Sequence, residues 1–518
     1  MRKTFLLLLL SFASAWLSQA ANSEKHVVLV VWDGMRPDFV TPTNTPTLYA
    51  LSRRGVFFAH NHAVYVSSTE VNGAALATGA YPEHSGIIGN REFRPEIDPK
   101  GPFGTDSLAA MRKADELGGY LHVPTVAETL QQQGYSTAIA GCKPVALLHD
   151  RTERPESAAN IVLFQGQTLP AGAIAALTNV LGPFYDHGNS KTNRDMWTAR
   201  ALTEQIWKHG VPSFSLLWLG EPDSTQHGTG VGSPQSLAAM RNSDTALAHV
   251  IAKLKEKGAY DTTDIFVVSD HGFSTVVRKV DMVANLRQAG FNAARLFKQP
   301  PARGDVLFVG LGGSALIYVI GHDGGTIDHL VKFLQTEDSV GPIFTGKARA
   351  GTFALDDAMI HSSEAPDIAI SFGWTSNKNL YGASGSLISE AQGSNLTPVK
   401  QEATHASLSP FDLHNTLVAA GPDLRQGFVD SIPTGNVDVA PTILKILGVK
   451  PAKPMDGRVL VEALKDGSKS SPSVRTKTLR AHATLPTGKW TQTLQISEVN
   501  GTRYLDQGTG QFTPEASR

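Results

Sequence analysis

Three aspartates and three histidines stand where a chain with no thiolate pair could hold a metal. Asp33 closes the apolar run His26–Trp32. Asp223 and His227 follow a second run at 213–219, and Asp270 and His271 close a third at 264–269. His405 sits in a polar loop just ahead of a fourth run, at 415–420. Cys142 is the single cysteine, so no intramolecular disulfide and no four-cysteine zinc site can form. Any metal is left to carboxylate and imidazole, a donor set that suits zinc, with manganese, iron and cobalt as alternatives. Each residue alone has an ordinary explanation. Asp is common as a helix cap or turn residue. Most of the 17 histidines, His60, His62, His84, His149, His187 and His361 among them, read as hydrogen-bonded surface or core residues. Convergence at strand ends sets these six apart.

A candidate nucleophile lies in Ser67-Ser68-Thr69-Glu70-Val71-Asn72-Gly73, ahead of the small-residue stretch Ala74 to Thr78 and then Gly79. A hydroxyl in a turn that leads into a helix has backbone amides and the helix dipole near an incoming anion. A metal beside it would lower its pKa and make it a nucleophile at neutral pH. The competing reading is a Ser or Thr that merely caps the helix.

These groups need a scaffold that brings strand ends together. The runs named above, with another at 136–140, are short, continuous and rich in β-branched residues, as expected of strands buried on both faces. Helix-period segments at 125–133 and 236–257 alternate with them, which predicts an α/β fold: an open, mostly parallel sheet wound on both faces. In such a sheet ligands collect beyond the carboxyl ends of the strands. Segments at about 91–120, 150–195 and 276–400 break the rhythm and read as inserted cap or side lobes, the last with strand candidates at 314–320 and 367–372. Residues 437–447 read as a late core helix. The chain divides into a leader at 1–20, a discontinuous core over 21–460 and a C-terminal extension at 461–518 with no obvious chemistry.

The 518 residues carry Lys+Arg 46 against Asp+Glu 47, a net charge of -1, so no strong footprint for duplex nucleic acid or an anionic membrane is expected. Met1, Arg2 and Lys3 precede a short apolar stretch ending at Ser18, Gln19 and Ala20, the pattern of a signal peptide. No later stretch has the length of a transmembrane helix. The expectation is an exported chain, periplasmic or secreted, and the lack of disulfides favours a bacterial periplasm.

Taken in order, the motifs resemble the alkaline phosphatase superfamily, in its nucleotide pyrophosphatase/phosphodiesterase branch. They run from Val31-Trp32-Asp33-Gly34-Met35-Arg36-Pro37-Asp38 to Thr69 with Asn72, then Leu76-Ala77-Thr78-Gly79, Tyr81-Pro82 and His84-Ser85-Gly86-Ile87-Ile88-Gly89-Asn90. Asp223 to Gly228, Ser269-Asp270-His271-Gly272, Thr404-His405, Asp438 to Thr442 and Met455-Asp456-Gly457 continue the match. The resemblance implies a three-layer α/β/α sandwich and a site for two Zn2+ ions, other divalent metals being possible. It assigns one ion to Asp223, His227 and His405, and the other to Asp33, Asp270, His271 and the Thr69 oxygen. Thr69 would be the nucleophile, with Asn72 and the backbone amide beside Thr69 donating to a phosphoryl oxygen. The implied reaction is hydrolysis of a small-molecule phosphodiester or pyrophosphate through phosphothreonine.

Two positions depart from that pattern. Glu70 and Val71 stand where the nucleotide-cleaving relatives place an aromatic residue and proline, so base stacking there is lost. Lys143 resembles a lysine that monoesterase and phosphonate-hydrolase branches place near phosphoryl oxygens, or it is a solvated loop lysine. A phosphomonoesterase or phosphonate hydrolase on the same metals is therefore the alternative. A phosphosugar mutase or a non-catalytic binder fits less well, because the leader argues for export and no ligand is missing. Oligomeric state cannot be read from the sequence.

Overall fold

Every residue of His26–Trp32 is buried, and alternate residues go to opposite faces. Val27, Leu29 and Val31 pack in one hydrophobic cluster, whereas Val28, Val30 and Trp32 pack in another. The neighbouring strand Phe214–Leu219 does the same: Leu216 and Trp218 face the first cluster and Leu217 and Leu219 the second. One sheet with an apolar layer on each side is an α/β/α sandwich. Helices Thr69–Thr78, Val126–Gln132 and Val439–Ile446 supply Leu76, Leu130 and Ile443 to one layer. Helices Pro46–Arg54 and Pro234–Glu256 supply Leu51 and Leu247 to the other. The computed structural model describes residues 25–156, 160–184, 191–393, 396–398, 401–467 and 472–515, so the leader at 1–20 lies outside the described residues.

Among the described residues, the central sheet has nine strands. At its heart Thr263–Val268, His26–Trp32, Phe214–Leu219, Thr137–Gly141 and Ile161–Phe164 run parallel in that order. Their carboxyl ends therefore point the same way and deliver Asp33, Lys143, Asp223 and Asp270 to one edge. Local sequence explains the helices between them. Val126–Gln132 opens with a capping box from Thr125 and Glu128, and Pro234–Glu256 opens on Ser233, whose side chain accepts from the Ser236 amide.

Three expectations change. The strand expected at 415–420 forms at Leu417–Ala420 but runs antiparallel to Thr263–Val268. A short buried apolar run has no direction in its sequence, and here the chain enters from the opposite side. The segment 150–195 is not wholly an inserted lobe, because Ile161–Phe164 and Gln167–Leu169 extend the central sheet to one edge. The segment 91–120 places Met111 and Ala114 of helix Leu108–Glu116 in the main core.

The segment 276–400 builds a six-stranded sheet of its own around Val306–Gly310, Ser314–Val319, Ile368–Phe372 and Val340–Thr345. Helix Gly324–Leu334 packs on it through Leu330 and Leu334. The C-terminal extension forms a three-stranded antiparallel sheet of Val474–Leu485, Gly488–Val499 and Thr502–Pro514. It docks on this lobe, where the Gln492 carboxamide both accepts from the Ile343 amide and donates to its carbonyl. It also reaches the core, where the Tyr504 hydroxyl donates to Asp438 at 2.7 Å. Among the described residues, no helix is long and apolar enough to cross a membrane.

Candidate active site

The turn after the first strand is held open for the site. Gly34 has φ +72, and a Cβ there would lie 3.0 Å from both Asp223 and Phe273. The Gly34 amide donates to Asp270 Oδ1 at 3.0 Å and the Asp223 amide donates to the Asp33 carbonyl at 3.0 Å. Three strand ends are thereby stitched together. Asp223 opens helix Asp223–Thr229, so His227, one turn on, returns to the same face. Its Nε2 lies 3.2 Å from Asp223 Oδ1.

All three histidines are oriented alike. The Nδ1 atoms of His227, His271 and His405 face the backbone carbonyls of Ala403, Gly272 and Ser67 at 3.1, 2.9 and 3.0 Å. A carbonyl only accepts, so each Nδ1 carries the proton and each Nε2 turns its lone pair inward. What those lone pairs meet is carboxylate: His271 Nε2 lies 3.3 Å from Asp270 Oδ2 and 3.6 Å from Asp33 Oδ1, and His405 Nε2 lies 3.7 Å from Asp223 Oδ1. Among the described residues, Asp33 Oδ1, Asp223 Oδ1 and Asp270 Oδ2 are buried without a hydrogen-bond partner. Buried anionic oxygens facing imidazole lone pairs are strongly unfavourable without a cation between them. Ligand atoms of Asp33, Asp270 and His271 lie within 4.8 Å of one another, and so do those of Asp223, His271 and His405. The residues present fit metal ions.

Electrostatics agree with that geometry. Burial, with Asp223 and Asp270 alongside, pushes the Asp33 carboxyl well up, and burial raises Asp270 to about 6. Burial works against ionised Asp223, but Lys143 and His227 outweigh it and hold that carboxyl well below its usual range. Burial also lowers His271, and burial with the stacked His271 ring lowers His405 strongly, so both rings are neutral and available as ligands. His227 is raised because Asp223 overcomes its burial.

Thr69 is the first residue of helix Thr69–Thr78, and its Oγ1 lies 3.3 Å from His271 Nε2. The cap position belongs to Ser68, whose side chain makes no capping bond. The Thr69 hydroxyl is thus directed into the cluster and does not cap the helix. Lys143 Nζ bridges Asp33 Oδ2 and Asp223 Oδ2 at 2.7 Å each. It is not a solvated loop lysine. Although burial opposes its charge, Asp223 and Asp33 raise its pKa well above the ordinary lysine value.

Asn72 is placed differently from the sequence expectation. Its Nδ2 donates to the carbonyls of Val64 and Ser68 at 3.1 and 3.0 Å, and its Oδ1 accepts from the Val64 amide and from Asn436 at 2.7 and 2.9 Å. Three residues past Thr69, on a helix with every residue buried, it braces the turn and has no hydrogen left for a phosphoryl oxygen. The carboxamide beside the nucleophile is that of Asn90, whose Oδ1 accepts from the Glu70 amide at 3.1 Å. That leaves its Nδ2 without a partner among the described residues. Sequence reasoning missed Asn90 because a loop returns it to the Glu70 amide across 20 positions, although it closes a motif already singled out. Glu70 is buried, and burial followed by Asp106 raises its carboxyl well above the usual range. A neutral Glu70 removes the conflict of a carboxylate beside a phosphate.

The two asparagines predict opposite phenotypes. Asn72→Ala strands buried backbone groups and should lower stability by about 2 kcal/mol or more, read as a fall in Tm. Asn90→Ala, which leaves only the Glu70 amide unpaired, should lower Tm less than Asn72→Ala and cost kcat/KM roughly tenfold to a hundredfold, the worth of one hydrogen bond to a charged group. Calorimetry and kinetics on both variants check the pair.

Comparison with known proteins bears on the same residues. The sequence model described as type I phosphodiesterase / nucleotide pyrophosphatase matches residues 27–331, which include all the ligand candidates except His405. Human ectonucleotide pyrophosphatase/phosphodiesterase family member 7 is 23% identical over 262 residues, covering 50% of this chain and 50% of that protein. A venom phosphodiesterase of Naja atra is 22% identical over 259 residues, covering 49% of this chain and 27% of that one. The chain thus spans about half the length, or less, of these relatives. Murine ectonucleotide pyrophosphatase/phosphodiesterase 5, solved as an inactive form in complex with AMP, superposes with a TM-score of 0.59 at 17% identity. That superposition covers 85% of this chain and 100% of the murine one. The match extends over more than half of the sequence and over the sandwich that carries the site. The chain belongs to the type I phosphodiesterase/nucleotide pyrophosphatase family, within the alkaline phosphatase superfamily.

Proposed function

We propose that the protein hydrolyses small phosphate esters, cutting phosphodiester or pyrophosphate bonds with Thr69 as nucleophile and two zinc ions as its resident metals. The observation that carries this reading is the convergence of Thr69 Oγ1 on a nest of inward-facing imidazoles and three buried, partnerless carboxylate oxygens. Asp223, His227 and His405 would hold one ion, and Asp33, Asp270, His271 and Thr69 the other. When bound, the metals neutralise phosphoryl charge and lower the threonine's pKa.

The chain's own groups do the rest. The helix that starts at Thr69 presents its first amide to the incoming phosphoryl oxygen, and Asn90 Nδ2 offers a second donor next to it. Thr69 Oγ attacks phosphorus in line, the bond to the leaving oxygen breaks, and a threonine phosphate ester forms that still carries the substrate's remaining group. Water then displaces Thr69 from phosphorus. Two inversions give net retention. The AMP of the murine complex is a phosphate monoester, the kind of product that cutting a nucleotide phosphodiester or pyrophosphate would leave. The export reading belongs here too: cleavage of the leader should leave a mature chain starting at Ala21.

A second reading rests on one observation, the reach of Lys143 Nζ into the carboxylate pair at 2.7 Å. A cation there favours a doubly charged monoester over a diester. Hydrolysis of p-nitrophenyl phosphate, bis(p-nitrophenyl) phosphate and the p-nitrophenyl ester of thymidine monophosphate by the purified protein separates the two. Higher kcat/KM on the diesters supports the proposal. A clear monoester preference moves the assignment to the second reading.

A further inference from the structure

A second group of imidazole and carboxylate lies outside the active site, where the C-terminal sheet meets the core. Strand Thr502–Pro514 slips register there: Gln507 pairs with Gln495 but Leu505 pairs with Ile496, which makes Asp506 the extra residue of a β-bulge. A bulge re-aims a side chain that regular pairing would place elsewhere. Asp506 Oδ1 reaches His62 Nε2 at 3.0 Å, and its Oδ2 accepts from the Ser497 hydroxyl at 3.0 Å.

His62 repeats the pattern of the catalytic histidines. Its Nδ1 faces the Thr434 carbonyl at 2.8 Å, so that nitrogen carries the proton and the Nε2 lone pair meets a carboxylate oxygen. Such a pair needs a proton or a metal between its members. The His414 ring lies 4.4 Å from that of His62, and its nitrogens make no hydrogen bond among the described residues. One ligand atom from each of His62, His414 and Asp506 falls within a 4.8 Å span. Tetrahedral zinc with bonds of about 2.0–2.1 Å sets its ligands roughly 3.4 Å apart, within reach of small side-chain rotations. The exposed His60 ring, 6.5 Å from that of His414, or a water would complete the shell.

We propose that His62, His414 and Asp506 form a zinc site, separate from the active site, that clips the C-terminal sheet to the core. The donors come from three distant parts of the sequence, so a bound ion stabilises the folded chain over the unfolded one.

The test is zinc content of the full-length protein after equilibration with zinc and dialysis, comparing wild type with His414→Ala, His414→Gln and Asp506→Asn. Each variant should hold one zinc fewer per chain than wild type at unchanged kcat, and zinc should raise the Tm of wild type more than theirs. His414→Gln keeps most of the ring's bulk and so separates ligand loss from packing loss. Wild-type zinc content in His414→Gln and Asp506→Asn overturns the proposal, and a lower Tm without zinc loss would show only an ion pair between His62 and Asp506. Because the readout is a difference from wild type, it stands whatever the active site binds. In Asp270→Asn, this site's zinc should remain when activity is lost.

Discussion

Thr69→Ala is expected to abolish turnover, by about 10⁴-fold or more in kcat, while the protein keeps its fold and its active-site metals. The magnitude is that of losing a covalent nucleophile whose partners remain in place. The fold should survive because Thr69 sits at the start of its helix and caps nothing: its hydroxyl faces His271 at 3.3 Å. Six of the seven proposed ligands are untouched, so elemental analysis should still find about two zinc ions in this site. Thr69→Ser, which restores a hydroxyl, should recover part of the rate. Near-wild-type activity in Thr69→Ala, or loss of all metal with full folding, would refute the assignment.

The second large effect is expected at Lys143. Replacing it with alanine should lower kcat/KM for p-nitrophenyl phosphate by about 10²–10³-fold, the cost of removing one preorganised charged contact to a phosphoryl oxygen. Diester hydrolysis should fall by less than about tenfold, because a diester lacks the extra anionic oxygen the ammonium would meet. Zinc content should hold, since removing a cation from beside Asp33 and Asp223 removes repulsion toward metal ions. Lys143→Arg keeps the charge and should lie between the two. Equal losses on both substrates together with lost zinc would mean that Lys143 serves only to balance the carboxylates.

Much of the architecture was legible because a doubly covered strand leaves a plain trace. Residues 26–32, 213–219 and 264–269 are continuous apolar runs, and the structure buries every residue of His26–Trp32, Phe214–Leu219 and Thr263–Val268. The residues after such runs are the ones a parallel sheet gathers at one edge, which is why Asp33, Asp223 and Asp270 could be named together. Strand direction left no such trace, and Leu417–Ala420 proved antiparallel. Nor did Ile161–Phe164 and the edge strand Gln167–Leu169, which sit in a segment broken by Pro, Gly and charge.

Within the site, what depended on helical spacing could be read, and what depended on a returning loop could not. His227 one turn after Asp223 is a local relation. The choice between Asn72 and Asn90 is tertiary: the nearer asparagine turns into the core to satisfy Val64 and Ser68, and the farther one comes back beside Glu70. The same limit hid the group around His62. Its carboxylate comes from a bulge 444 residues away, and a bulge is a property of pairing that no single strand displays.

Trapping the covalent intermediate tests the proposed chemistry most directly. Enzyme mixed with a chromogenic diester and quenched in cold acid within the first turnovers should yield a peptide containing Thr69 that has gained the mass of the phosphoryl group with the ester substituent that did not leave. That adduct should be missing from Thr69→Ala. Steady turnover with no adduct on Thr69, or with the adduct on another residue, would contradict the mechanism.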